Sequence, residues 1–422
     1  MDYDYRIVNE HIEHTMKTLI LIFGLLLSSI TLYSQNARVV GYLPTYRFAL
    51  SSQIDYCKLT HLNLAFANPD SAGNIVMPSI SSVVADALND NPDIVIMVSM
   101  AGGVLSAQQA VDWSSLIDIP ANRPPFIEKI VDYVLTNDLD GVDVDLEWSH
   151  VTSGYSDFVV ELDYALQVEG KSMTAALPNL TLFSNINQAA LDAFDFINIM
   201  AYDATGPWNP SLPGQHSSYS FAEDGIDFWE NSVGIAPSRL NLGLPFYGYD
   251  FVNSSTVNAF TYAQMVSTDP SYADLDNVGT AYYNGRPTIE SKIELASNEV
   301  GGVLIWELGQ DAFNQYSLLT TIHNKYTSLG VLTSGLCGND AVLSTDLIQS
   351  AEKITLFPNP SSNYITISNL QKERYFTVND IFGKQLIEGT VSNNGYIIIS
   401  HLSNGMYYLR LDNGTTAQFM KK

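Results

Sequence analysis

Asp140, Asp143, Asp145 and Glu147 fall in one short run, Asp140-Gly141-Val142-Asp143-Val144-Asp145-Leu146-Glu147-Trp148. Strand side chains alternate between faces, so a strand here turns Asp143, Asp145 and Glu147 one way and Val142, Val144 and Leu146 the other. The apolar face must pack on other apolar groups, which leaves the three carboxyls facing inward, about 6.6 Å apart along the strand. Desolvation and like charge both favour the protonated form, so at least one of them keeps its proton near neutral pH. A carboxyl that holds a proton at a strand end is what a general acid requires. The bland alternative, a solvated acidic strand, is opposed by the apolar opposite face. A metal site is the chemical alternative, but no histidine stands among the acids, and His150 lies past the run. No metal-ligand set and no cofactor motif is read from the chain.

Acids at a strand end need a frame that converges on them. From Ala37 to about Tyr326 a short β-rich apolar run repeatedly precedes a longer helix-compatible stretch. The runs are Arg38–Leu43, His61–Ala67, Ile94–Met100, Gly141–Glu147, Ser172–Leu177, Phe196–Ala201, Asn241–Phe246 and Val303–Trp306. Continuous apolar runs such as Ile94-Val95-Ile96-Met97-Val98 suit parallel strands buried on both faces. Eight strand–helix units fit an α/β fold, a (β/α)8 TIM barrel of roughly 250 residues, with its chemistry at the C-terminal strand ends. An open doubly wound sheet would want a glycine-rich phosphate loop after its first strand, and Gly41-Tyr42-Leu43-Pro44 is not one. Residues 36–330 are therefore expected to form the barrel and 331–350 a linker. Residues 351–422 change to short alternating strands: Ile354–Phe357, Tyr364–Ser368, Tyr375–Val378, Tyr396–Ser400 and Met406–Leu411. Turn signals at Pro358-Asn359-Pro360, Asn393-Asn394-Gly395 and Asp412-Asn413-Gly414 punctuate them, which predicts a small β-sandwich.

Composition narrows the partners. Of 422 residues 46% are hydrophobic, enough for a large core, and 45 acidic against 19 basic residues give a net charge of −26. Such a surface repels phosphate backbones and anionic membranes, so a nucleic-acid partner is excluded. The 24 Tyr, 18 Phe and 5 Trp supply flat apolar faces beyond those a core consumes, suited to sugar rings. Cys57 and Cys337 have no metal-ligand spacing, and their pairing is left open. Residues 1–35 read as a leader and signal peptide, with the true start at Met16, then Lys17, a largely apolar run Leu19–Leu32, and cleavage near Ser34 or Gln35. That run is short of the roughly 20 residues of a membrane span. A secreted or cell-surface monomer with no stable membrane span is expected.

The acidic run resembles the signature of glycoside hydrolase family 18, the chitinases and their relatives: Asp-x-x-Asp-x-Asp-x-Glu on the fourth strand. The likeness covers about residues 37–326. Ser99-Met100-Ala101-Gly102-Gly103 resembles the family's Ser-x-Gly-Gly, with Ala101 in place of the first glycine. Met200-Ala201-Tyr202-Asp203 matches its Met-x-Tyr-Asp. Gly243-Leu244-Pro245-Phe246-Tyr247-Gly248 resembles the strand-seven motif, with Tyr249 where an arginine often follows. The resemblance implies that Glu147 protonates the glycosidic oxygen and that the substrate's own acetamido group is the nucleophile, the exception to the two-carboxylate scheme. It implies that Asp145 orients that group and stabilises the resulting cation, that Asp143 shares a proton with Asp145, and that Tyr202 donates to the acetamido oxygen. Trp306 would floor the sugar site, and Met200, Asp203 and Tyr247 would line it. Trp148, Trp208, Tyr42, Tyr46 and Phe66 are further candidates for sugar contact. Asp140, Gly141, Ser99, Gly102 and Gly103 would shape the motif. The segment between strands seven and eight leaves little room for the α+β subdomain of many members, which implies a shallow cleft and endo-type cutting.

The tail resembles the C-terminal sorting domain of the type IX secretion system, through Leu356-Phe357-Pro358-Asn359-Pro360, Asn379-Asp380-Ile381-Phe382-Gly383-Lys384, Leu402-Ser403-Asn404-Gly405-Met406-Tyr407-Tyr408 and Lys421-Lys422. The likeness implies export, with secretion machinery as a partner. A carbohydrate-binding sandwich is the alternative, but the tail has no Trp. The glycan expected in the barrel is chitin or another N-acetylglucosamine-containing chain. An endo-β-N-acetylglucosaminidase acting on N-glycan cores and a non-catalytic chitin-binding lectin are the rivals. Tyr202 speaks against the first and Glu147 against the second.

Overall fold

The computed structural model describes residues 36–333, 337, 354–370, 372–380, 384–411 and 416–422. The leader and signal peptide expected over 1–35, most of the linker expected over 331–350 and the tail turn at 412–414 lie outside the described residues. The chain divides into two compact units, Met1–Cys337 and Gly338–Lys422.

In the first unit each expected apolar run is a strand. These are β1 (Arg38–Pro44), β2 (His61–Pro69), β3 (Val95–Ala101), β4 (Gly141–Asp145), β5 (Ser172–Pro178), β6 (Phe196–Met200), β7 (Leu240–Pro245) and β8 (Gly302–Trp306). All pair in parallel with their sequence neighbours, and β1 pairs with both β8 and β2, so the sheet closes into a TIM barrel. Helices alternate with the strands on the outside, among them Arg123–Thr136, Tyr155–Val168, Arg286–Glu299 and Leu318–Ser328. The main core is the shell between strands and helices. Val142, Val144 and Leu146 are buried there in one cluster with Trp113, Phe126 and Phe158, so the alternation of β4 turns its acids into the barrel. β4 stops at Asp145, two residues earlier than expected. Leu146 and Glu147 continue past it, and Glu147 keeps extended backbone angles.

The β7–β8 connection departs from expectation. Read as too short for a subdomain, it holds a compact α+β insertion, a four-stranded antiparallel sheet of Tyr247–Asn253, Thr256–Thr261, Asn277–Val278 and Ala281–Tyr282 with the helix Tyr262–Thr268. The strands are only two to seven residues long, which is how the element fits. Cys57 and Cys337 form a disulfide, with Cα atoms 5.5 Å apart. Among the described residues no helix is long and apolar enough to cross a membrane.

The second unit is a sandwich of a three-stranded sheet (355–357, 364–368, 396–398) and a four-stranded sheet (374–380, 385–391, 405–411, 416–421) over a shared core that includes Ile365, Ile367, Val378, Leu409 and Phe419. Two of these strands, Gln385–Val391 and Thr416–Lys421, were not among those expected. Each is an edge strand of its sheet, and Gln385–Val391 is largely exposed, so its residues follow weak apolar patterning.

Candidate active site

The site is built at the C-terminal strand ends from three kinds of residue: satisfied acids that hold position, unpartnered polar groups, and aromatic faces. Asp143 lies deepest, wholly buried. Its Oδ1 accepts from Thr174 Oγ1 at 2.6 Å and Asn198 Nδ2 at 3.4 Å, and its Oδ2 from Ser99 Oγ at 2.7 Å and the Tyr42 hydroxyl at 2.9 Å. Burial pushes its pKa up, while the four hydrogen bonds pull the other way. Asp145, next along the row, is also buried, but its Oδ1 has no partner, and no hydrogen bond joins it to Asp143. Burial first, then the charges of Glu147 and Asp143, push its carboxyl well above the usual range. Glu147 is half-buried, and burial, followed by the charge of Asp203, pushes its pKa up to about 7. Neither Glu147 nor the hydroxyl of Tyr202 hydrogen-bonds to any described residue. The Tyr202 phenol is held in its protonated form by burial and by the nearby Asp145.

The surrounding backbone is shaped to admit these groups. Ala101, opposite Asp145 in the β3–β4 register, takes a φ of 84°, and Gly102 one of 87°. A Cβ at Gly102 would come within 2.6 Å of the Phe66 ring, and one at Gly103 within 2.5 Å of Glu147 Oε1. A Cβ at Gly141 would meet the Ser172 carbonyl at 2.1 Å, so only glycine lets β4 and β5 pair here. Asp140 stays outside the site, its Oδ2 accepting from the Ile96 N–H at 2.7 Å, which ties β4 to β3 as a motif-shaping residue should.

Trp306 ends β8 and is half-buried. It stacks on Phe66 with ring centroids 5.5 Å apart and meets the edge of Tyr42 at 5.8 Å. Asp203, with a φ of 64°, is partly exposed. Its Oδ1 accepts from Tyr247 at 2.6 Å and from Tyr249 at 3.0 Å. The buried His216 sits beside it, Nδ1 accepting from the Asp203 N–H at 3.3 Å. Met200 closes β6, half-buried beside Tyr202. Trp148 and Trp208 are exposed by 61% and 59%, Trp148 edge-on to Phe183 and Trp208 edge-on to Tyr249.

The expected residues therefore converge, with three changes of position. Tyr42 is 1% exposed and gives its hydroxyl to Asp143 beneath the Trp306 floor, so it is a support and not a sugar contact. Tyr247 is likewise buried, with its hydroxyl committed to Asp203. Phe66 backs Trp306. Sequence reasoning missed Thr174, Asn198, His216 and the contact of Tyr249 with Asp203. Thr174 and Asn198 were detectable as lone polar residues in apolar strand runs. His216, 13 residues beyond Asp203, carried no local signal. Among the described residues, Asp55, Cys57 and Asp90 gather in a metal-like group, but the sulfur of Cys57 belongs to the disulfide. A proton donor, an unpartnered carboxyl and a phenol above an aromatic floor can together break a bond by acid catalysis, and stabilise a cation formed on a flat, partly apolar ring.

Comparison with known proteins agrees with this chemistry. Residues 38–311 match the model of the glycosyl hydrolases family 18, and residues 355–422 that of the secretion system C-terminal sorting domain. The crystal structure of the chitinase ChiB, from the chitin utilization locus of Flavobacterium johnsoniae, is similar with a TM-score of 0.71 and 54% identity, over 72% of this chain and 99% of that one. A class V chitinase of Arabidopsis thaliana is 25% identical over 280 residues, 58% of this chain and 73% of its own. An endochitinase of Manduca sexta is 26% identical over 211 residues, 44% of this chain but only 37% of its own.

Proposed function

The chain belongs to glycosyl hydrolase family 18, and on that footing we propose that it is an exported chitinase that cleaves β-1,4 bonds between N-acetylglucosamine units with retention of configuration. The observation that carries the reading is the trio Asp145, Glu147 and Tyr202. These polar groups hydrogen-bond to no described residue, directly above an Asp143 that accepts four hydrogen bonds, and buried polar groups are ordinarily paired. Each matches one need of an acetamido sugar lying on Trp306. Glu147, protonated below about pH 7, gives its proton to the glycosidic oxygen as the C1–O bond breaks. The acetamido carbonyl oxygen attacks C1 from the opposite face and closes an oxazolinium ring. Tyr202 donates to that oxygen and aligns it, and Asp145 accepts the acetamido N–H and faces the developing positive charge. Glu147, now a carboxylate, takes a proton from water as the water oxygen opens the ring. Two inversions give net retention, and the acid regains its proton.

Trp148 and Trp208, exposed at the rim, extend the apolar surface for neighbouring sugars. Residues 1–35 act as leader and signal peptide with the start at Met16, 331–350 as a linker, and the C-terminal unit directs the barrel across the outer membrane by the type IX route. The test is product analysis on chitin oligomers beside a high-mannose glycoprotein and a cello-oligosaccharide, with time-resolved NMR of the first product. Release of N-acetylglucosamine oligomers with the β-anomer first supports the reading. Cleavage of the glycoprotein alone would assign the N-glycan branch, and binding without turnover a lectin. Initial α-anomer or brisk cleavage of the cello-substrate would mean an ordinary two-carboxylate route.

A further inference from the structure

Below Asp143 a row of polar side chains runs through a barrel interior shared with the apolar Val40, Phe196 and Leu304, and its hydrogen bonds run in one direction. Arg38, at the N-terminal end of β1, donates through Nε to Asn241 Oδ1 at 3.0 Å. Asn241 Nδ2 donates to Asn198 Oδ1 at 2.9 Å. Asn198 Nδ2 donates to the Tyr42 oxygen at 3.0 Å, and Tyr42 donates to Asp143. A guanidinium has donors and no acceptor. Asn241 must therefore turn its oxygen toward Arg38 and its amide nitrogen toward Asn198, and Asn198 must repeat the orientation. Tyr42, whose oxygen accepts, has its proton left for Asp143. While Arg38 is in place no link can reverse.

The guanidinium is seated for this task. Its NH2 donates to the Ser238 carbonyl at 2.6 Å, and its Cζ lies 4.6 Å from the Phe196 ring centroid. A Cβ at Gly301 would come within 2.1 Å of that NH2, so the glycine makes the room. His61 and Tyr326 are the titratable groups facing Arg38. Burial, then Arg38 itself, lowers His61 to about 4, so the imidazole is neutral in the working range. Burial holds the Tyr326 phenol protonated. Around Asp143 the titratable groups are Tyr42, Asp145, Tyr155 and Tyr202, with Glu147 beyond Asp145. With Ser99 and Thr174 added, all four lone-pair directions of Asp143 receive donors. A carboxylate accepts such a set, whereas a carboxylic acid would set its own hydrogen against a donor. Asp145 accepts no hydrogen bond from any described residue, so a proton there meets no such conflict.

We propose that Arg38 is a positioning residue for the reaction: from the far end of the barrel it fixes the direction of a hydrogen-bond chain that keeps, in the ligand-free protein, the negative charge of the Asp143–Asp145 pair on Asp143 and the proton on Asp145. The inference rests on the functional reading above for its kinetic arm only. That arm compares wild type, Arg38→Met, which removes the donor, and Arg38→Gln, which keeps an N–H without the charge, on a chitin oligomer across pH. Losing the donor destabilises the pair's anion, so the acid limb of kcat/KM in Arg38→Met moves up by about one pH unit. The alkaline limb and KM stay within about twofold, and Arg38→Gln recovers more than half of the shift. A uniform loss at all pH values, an unmoved acid limb, or a shift equal in Arg38→Gln and Arg38→Met would overturn the direction argument. The second arm needs neither turnover nor a variant of Arg38. Carboxyl-carbon NMR of the full chain at pH 6, with Asp145→Asn used only for assignment, should show Asp143 ionised and Asp145 protonated. The reverse order would overturn the proposal. A wild type that cleaves nothing would sink the functional reading and leave this arm standing.

Discussion

Replacing Glu147 with glutamine should abolish hydrolysis and, above neutral pH, make the fold more stable. The carboxyl's ordinary value of 4.5 is pushed up to about 7, mainly by burial. Below pH 4.5 it is protonated in both folded and unfolded chains, and its ionisation costs the fold nothing. Between the two values the unfolded chain gives up the proton while the folded chain keeps it, so stability falls as pH rises. Above both values the folded chain carries an unwelcome charge worth about 3 kcal/mol. Glutamine cannot ionise, so the variant should exceed wild type by about 2–3 kcal/mol at pH 8 and match it near pH 4. For a unit of this size, roughly 2–4 °C per kcal/mol gives a gain in Tm of about 5–10 °C at pH 8. Turnover should fall by about a hundredfold or more, the contribution expected of a positioned general acid. Thermal melts at the two pH values, with oligomer release measured on the same preparations, read both effects. Equal gains at pH 4 and pH 8 would refute the argument from burial. Retention of more than a few per cent of activity would mean that another group is the acid.

Three further outcomes follow from the same geometry. Because the charge of Asp203 is the second cause of the raised Glu147 value, Asp203→Asn should move the alkaline limb of kcat to lower pH, by about half a unit, in a pH–rate profile. Gly103→Ala should leave the melting temperature nearly unchanged, since the added Cβ meets only the tip of Glu147, yet cut kcat by about tenfold to a hundredfold by displacing the acid; a kinetic constant near wild type would show that Glu147 can move aside and still work. Deleting residues 351–422 should leave kcat/KM of the barrel unchanged while the chain stays inside the producing cell, as read by fractionation; an inactive barrel would show that the tail is part of the catalytic fold.

Much of this was written in strand periodicity. Eight apolar runs made the barrel legible, and the two-residue spacing of Asp143, Asp145 and Glu147 made their common inward face legible, because a strand permits only two faces. Spacing could not tell which aromatics would face sugar. Tyr42 and Tyr247 sit in strand-end motifs just as Tyr202 and Trp306 do, but their hydroxyls are drawn into bonds with Asp143 and Asp203, acids on other strands. Such cross-barrel pairings are properties of closure, not of local sequence. The same holds for Cys57 and Cys337, separated by 280 positions and brought together only by the fold. The β7–β8 insertion was misjudged for another reason: its strands are too short to show a period, and its sheet is held by pairings between residues as far apart as Tyr249 and Tyr282.

The distribution of satisfied and unsatisfied acids separates support from chemistry more sharply than motif membership does. Asp140, Asp143 and Asp203 each sit in a motif and each accepts from protein donors, Asp143 through both oxygens, Asp140 through Oδ2 and Asp203 through Oδ1. For the buried Asp143 these bonds offset part of the cost of burying a charge and make the side chain hard to move. Asp145 and Glu147 sit in the same motif without donors among the described residues, and burial therefore acts on them without relief, raising both. That is costly for the fold, as the behaviour expected of Glu147→Gln makes explicit, and the cost follows from the feature that makes them useful. A carboxyl satisfied by the protein would have its lone pairs filled and its proton gone before a sugar arrived. The donors concentrated on Asp143, with the chain behind them that begins at Arg38, let two unsatisfied acids persist above it: they hold the pair's charge on Asp143, so that Asp145 stays protonated and adds no second charge beside the proton that Glu147 must keep for cleavage.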